Sequence, residues 1–198
     1  MSVRPPDGDR KAVERAVAAL IHALGLSERD EPELRDTPAR VAEFYAEALS
    51  GLDPAAIPEL ATFPHTGSGD DLVVVRDLPF HSLCLHHLVP FFGRAHIAYL
   101  PDARIIGISG TARLLDHYAR RPQLQERITR QIADHLERLV APRGVAVMLE
   151  ARHLCMEMRG IRKPGRVETR VVRGALAEPR WAHVLPTPGG EDAASGDE

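Results

Sequence analysis

The chain has only two cysteines, Cys84 and Cys155, and each stands close to histidine, in Cys84-Leu85-His86-His87 and in His153-Leu154-Cys155. Thiolate and imidazole are the usual ligands of zinc, and a Cys-x-x-His spacing lets one loop supply two of them. Cys84, His87 and Cys155 together make a three-ligand set with a fourth position left for water, which is the pattern of catalytic rather than structural zinc. A single Cys is more often a small buried hydrophobe, and Cys-x-x-His alone arises readily by chance, so it is the joint occurrence that favours a metal. Two sulfurs can form at most one bridge, and in a reducing compartment free thiols or metal ligands are the better expectation. A third polar group, Arg120-Arg121-Pro122-Gln123-Leu124-Gln125-Glu126, is expected to open a helix. Competing hydrolytic signatures are missing: the sequence has no Pro-Cys-x-x-Cys of the zinc deaminases, no Gly-x-Ser-x-Gly and no P-loop.

The elements that must position these groups are legible from periodicity. Val13, Val17, Leu20, Ile21 and Leu24 recur at helical spacing between Lys11 and Leu24. Thr37 as N-cap, Pro38 at the first helical position and Gly51 beyond the end mark a second helix. Leu52 to Asp71 is rich in Pro, Gly, Ser and Thr and is expected to be a connecting loop. Strands are predicted over Leu72–Val75, Phe91–Leu100, Val145–Met156 and Val167–Val172. Helices are predicted over Thr111–Arg120 and Leu124–Leu139, separated at Pro122. In the third strand His153 and Cys155 share one parity and are expected to point the same way. The domain plan is a disordered lead-in over 1–10, a helical region over 11–51, a catalytic domain over 52–178 and a disordered tail over 179–198.

Composition narrows the class of function. A chain of 198 residues with 44% apolar content supports one core. Its formal net charge of -3 lacks the basic excess that nucleic acid requires of a partner. No apolar run is long enough to span a membrane and the N-terminus has no signal-peptide pattern, so a cytoplasmic location and no membrane partner are expected.

Four separated runs carry a more specific resemblance. They are Arg35–Val41, Ser82–Phe91, Ala119–Arg127 and His153–Gly160, and they resemble, in order and spacing, the signature segments of the GTP cyclohydrolase I family. The resemblance covers roughly Ala12 to Leu176. It implies an α+β chain with the T-fold, an antiparallel four-stranded sheet with two helices inserted between its middle strands and further helices at the N-terminus. It implies a homodecamer with active sites between subunits, and GTP as the substrate, converted to 7,8-dihydroneopterin triphosphate and formate for folate and pterin biosynthesis. Cys84, His87 and Cys155 would hold Zn2+, and water activated there would attack guanine C8. His153 would protonate N7, and His86 with Ser109 would serve the ribose opening and the rearrangement that follows. Glu126 would accept hydrogen bonds from guanine N1 and the exocyclic amine, with Gln125 against the same base. Arg159 and Arg113 would meet the triphosphate, with Arg40 as a third candidate.

The chain departs from the family pattern at three places. Ser109-Gly110 stands where the family carries Ser-Lys, Leu85 stands where it carries Glu, and Trp181–Leu185 replaces a charged ending. Loss of the lysine removes a charge-assisted contact with the phosphate end, about 1.5–3 kcal/mol. Two alternatives follow from these departures. One is a paralogue with a different product, or a substrate with fewer phosphates, in a secondary pterin or deazapurine pathway. The other is a non-catalytic T-fold subunit that binds purine or pterin.

Overall fold

The computed structural model describes residues 10–53, 57–67, 69 and 71–186. Helices α1 (Arg10–Ala23) and α2 (Thr37–Ala48) lean on each other, and no residue of α1 is buried. Helix α2 begins one residue earlier than the sequence suggested. Asp36 is the N-cap, at the end of a 3-10 turn over Pro32–Asp36, and Thr37 is already helical. The expected lead-in over 1–10 ends at Arg10, the first residue of α1; its other residues lie outside the described ones.

The long connecting loop holds a short strand, β1 (Thr62–Pro64). Then come β2 (Val73–Cys84), β3 (Pro90–Leu100), β4 (Arg104–Ile106), α3 (Ile108–Ala119), β5 (Pro122–Gln123), α4 (Gln125–Val140), β6 (Gly144–His153), the single turn α5 (Leu154–Glu157) and β7 (Arg166–Gly174). The main sheet has the order β5-β2-β3-β6-β7, and β1 pairs with β4 in a separate ribbon. Strands β2, β3, β6 and β7 are antiparallel neighbours, with α3 and α4 inserted between the second and third of them. This is the α+β arrangement expected of a T-fold. A two-residue strand, β5, is added in parallel to the end of β2.

Alternation of side chains divides the sheet cleanly. Ala95, Ile97 and Tyr99 of β3 and Val145, Val147 and Leu149 of β6 face the helices, where they meet Leu114 and Leu115 of α3 and Ile128, Ile132 and Leu136 of α4. Each of these apolar side chains removed from water contributes on the order of 1.5–3 kcal/mol. Strand β2 obeys the rule only because it breaks it once. Val73 and Val75 pair with Tyr99 and Ile97, whereas Leu78 pairs with Ala95, so one extra residue is accommodated, with Asp77 at φ 57. Such a bulge reverses parity. Odd-numbered Val73 packs toward the helices before it, and even-numbered Leu78, Phe80 and Cys84 after it.

The opposite face of the sheet is covered by the C-terminal segment. Residues 179–186 were expected to be disordered, and that expectation is corrected: Pro179–Trp181 form a 3-10 turn, and Val184 and Leu185 are buried against Ala98, Leu100, Ala146 and Met148. The physical reason is that β3 and β6 carry apolar residues on both faces, so one layer of helices cannot cover them. Arg76 of β2 ties the segment down by donating to the Val184 carbonyl at 3.2 Å. Residues 187–198 of the predicted tail lie outside the described ones. Among the described residues no helix is long and apolar enough to cross a membrane.

The tail contact is directly testable. Replacing Leu185 by Ala should cost about 2 kcal/mol and lower the thermal midpoint by roughly 4–8 °C. An unchanged midpoint in a melt followed by circular dichroism would show that the segment adds nothing to the core.

Candidate metal centre and surrounding site

Strands β2 and β6 run the same way because both are antiparallel to β3. Their C-terminal ends therefore lie at one end of the sheet, beside the start of β3. Cys84 is the last residue of β2, and its carbonyl accepts from the amides of His87 at 3.2 Å and Leu88 at 2.8 Å. That tight turn, with Leu88 at φ 53, folds His87 back over the cysteine. The Leu85 amide donates to Gln123 of β5 at 3.0 Å, which fixes the turn to the segment leading into α4.

On the other side β6 ends at His153, and Cys155 belongs to α5. The expectation that both residues share a strand face is thus corrected. Strands two places apart in a sheet are about 10 Å apart, too far for thiols at their ends to share an ion. The helical turn brings Cys155 inward and closes the gap. Likewise the segment from Arg120 to Glu126 does not simply open a helix: α3 ends at Ala119, β5 intervenes, and α4 begins at Gln125.

The ligand atoms of Cys84, His87 and Cys155 all lie within 4.8 Å of one another. Cys84 Sγ and His87 Nδ1 are 3.6 Å apart, and tetrahedral zinc with ordinary Zn–S and Zn–N bonds would place them about 3.6 Å apart. The donor set thus fits zinc. Its protonation fits as well. Loss of hydration first, then the charges of Arg159 and His86, lower the pKa of His87 and favour the neutral imidazole that a metal needs. Burial, then a hydrogen bond with Cys84 and its charge, push the Cys155 thiol up. With the Cys84 sulfur this close, Cys155 ionises readily only if a cation lies between them.

Around this centre stand several of the expected residues. His86 adjoins His87, with ring centroids 6.1 Å apart. His153 sits opposite Phe91 in the β3–β6 register and stacks on it, 4.5 Å between centroids and 5° between planes. Its Nε2 is 2.7 Å from Gln125 Oε1. Burial lowers the His153 pKa, and the Glu126 and Glu157 carboxylates oppose that shift. Glu126 is exposed in the first turn of α4, and exposed Arg159 follows α5.

Other expected residues form separate groups on other elements. Ser109 and Arg113 are one turn apart on the exposed side of α3, Arg113 Nη2 donating to Ser109 Oγ at 3.1 Å. Arg40 is on α2 and pairs with Asp36 at 3.4 Å. Gly110 is buried, and a Cβ there would come within 2.8 Å of Ile106 Cδ1, so a side chain at this position must first displace Ile106. Phe91 and Glu157 were not foreseen as parts of the site. Phe91 could have been found from strand register, and Glu157 from its place one turn beyond His153.

The family model for GTP cyclohydrolase I matches residues 13–183. The chain belongs to the GTP cyclohydrolase I family. Among curated relatives, the GTP cyclohydrolase 1 of Streptococcus agalactiae serotype Ia is 47% identical over 177 residues, covering 87% of this chain and 92% of its own. That of Thermobifida fusca is 48% identical, covering 88% and 84%. That of Mycolicibacterium gilvum is 51% identical over 174 residues, covering 85% and 84%. A crystal structure of the archaeosine synthase QueF-Like in the apo form aligns with 52% of this chain and 95% of its own, with TM-score 0.43 and 17% identity.

The ligand set predicts a clear loss. Cys155→Ala should reduce zinc retained after dialysis from about one ion per chain to almost none, measured by elemental analysis, while far-ultraviolet circular dichroism stays as in the parent. Full retention would remove Cys155 from the ligand set.

Proposed function

We propose that this chain is a GTP cyclohydrolase that hydrolyses GTP to 7,8-dihydroneopterin triphosphate and formate at the Cys84–His87–Cys155 centre. The observation that carries this reading is the convergence of two thiols and an imidazole with His153 and Glu126 at one end of the sheet. Family membership supports the same reaction. When bound, zinc supplies a water acidified toward neutrality, which is the nucleophile that hydrolytic opening at C8 requires.

The protein's own groups divide the remaining work. His153, stacked on Phe91, delivers a proton to guanine N7 as C8 is attacked. Exposed Glu126 accepts from guanine N1–H and the 2-amino group, donors that adenine does not present on that edge. Arg159, close enough to influence His87 and Cys155, receives phosphate charge, and Arg113 and Arg40 complete the clamp. His86 and Ser109 handle the ribose opening and rearrangement. Arg113, Ser109 and Arg40 lie on elements apart from the metal centre, so their part in the clamp requires a site completed by a second subunit. Large apolar side chains left exposed support such an assembly, for which the family suggests a homodecamer. Leu20 and Phe44 lie on the N-terminal helices with Leu24 just after the first, and Leu85, Leu88, Met158 and Ile161 follow the cysteines of the centre in sequence. Two thiols kept reduced as ligands suit the cytoplasm.

The decisive experiment gives GTP to the zinc-loaded protein and follows formate release together with pterin fluorescence after oxidation. Both signals are expected. Formate without pterin would replace the full reaction by ring opening alone, and neither signal, with zinc bound, would overturn the reading. His153→Ala should keep its zinc and lose formate release by about 10²- to 10⁴-fold. Near-parental turnover in that variant would remove His153 from proton transfer.

A further inference from the structure

Gln125 is the first residue of α4 and is 2% exposed. Its Nε2 lies 2.9 Å from the Leu149 carbonyl oxygen and 2.8 Å from that of Val167, with Thr169 Oγ1 at 3.3 Å. Carbonyl oxygens only accept, so the group facing them must be the amide NH2, and the side chain cannot be turned over. Its Oε1 is thereby directed to Nε2 of His153, 2.7 Å away. An amide oxygen also only accepts, so the ring nitrogen facing it must carry hydrogen.

The anchorage is reinforced from a second direction. Thr129 Oγ1 donates to the Gln125 carbonyl at 3.0 Å and lies 2.6 Å from Thr169 Oγ1, joining α4 to β7 inside the core. Phe91 holds the plane of the His153 ring from the side. Both amide hydrogens of Gln125 are engaged by the backbone of β6 and β7, so none remains for a purine.

We propose that Gln125 is a positioning residue that holds His153 as its Nε2–H tautomer in one ring orientation, so that Nδ1 is the nitrogen presented to the substrate. This rests on the reading of His153 as the proton donor. The imidazolium gives its Nδ1 proton to the substrate nitrogen and is left as the neutral Nε2–H form, which is the form Gln125 stabilises. The base contact implied for Gln125 by resemblance is replaced by an indirect role.

Two readouts test this. In zinc-loaded full-length protein carrying 15N-histidine, long-range nitrogen–proton correlation at alkaline pH reports the tautomer. The His153 signal is identified by its loss in His153→Asn. The parent should show Nε2 protonated and Nδ1 bare, and Gln125→Met should lose that preference. Gln125→Met should also lower kcat for formate release on the order of a hundredfold with KM for GTP little changed. An Nδ1–H tautomer in the parent would overturn the proposal, and so would a raised KM with kcat unchanged, the signature of a lost base contact. Reading the parental tautomer needs only the His153→Asn assignment, so it stands even if Gln125→Met misfolds. If the parent releases no formate from GTP, the functional reading falls while the spectrum still decides the tautomer.

Discussion

Everything at the site depends on β3 being paired on both sides by antiparallel strands. That single constraint makes β2 and β6 parallel to each other and brings their ends to the same edge, although more than sixty residues separate them in sequence. The same pairing puts Phe91 opposite His153 and so sets the plane of the imidazole. Helices α3 and α4 occupy the crossover between β4 and β6, and their apolar faces hold the sheet in place. The clustered side chains then need only short local devices, a tight turn after Cys84 and one helical turn after His153.

The electrostatic character of the centre follows from its position at a sheet end, where a half-buried cluster meets open surface. Cys84 is buried, Cys155 is intermediate and His87 is exposed. Water withdrawn from Cys155 opposes its ionisation, and lost hydration followed by the Arg159 charge opposes protonation of His87. The neutral His87 nitrogen suits a metal reached from solvent on one side, and the positive charge of that ion would offset the cost of ionising Cys155. The carboxylates of Glu126 and Glu157 act in the contrary sense and offset part of the lowering that burial imposes on His153. His153 and His87 are thus distinguished by their neighbours.

Much of this was legible in the chain. Apolar spacing at Ile128, Ile132 and Leu136 gave α4, the alternation of Ala95, Ile97 and Tyr99 gave the inward face of β3, and two Cys–His pairings pointed to the Cys84, His87 and Cys155 cluster. What escaped was non-local. Cys155 leaves its strand because a gap of two strand spacings must be closed, and no local pattern records that distance. The segment around Val184 and Leu185 looks like a polar, proline-rich tail until the second apolar face of the sheet is known. Gln125 reads as a polar residue at a helix start, free to meet a ligand, and only the approach of β6 and β7 shows its amide to be engaged.

The bulge at Asp77 shows what kind of sequence change this fold can absorb. Between it and Cys84 the strand acts as a counted spacer, in which side chains can be exchanged but residues cannot be added or removed singly. One insertion there would turn the thiol to the far side of the sheet and break the centre without altering any ligand. Length changes should therefore accumulate in the segment before β2, where the count is not read, while β2 drifts in composition alone.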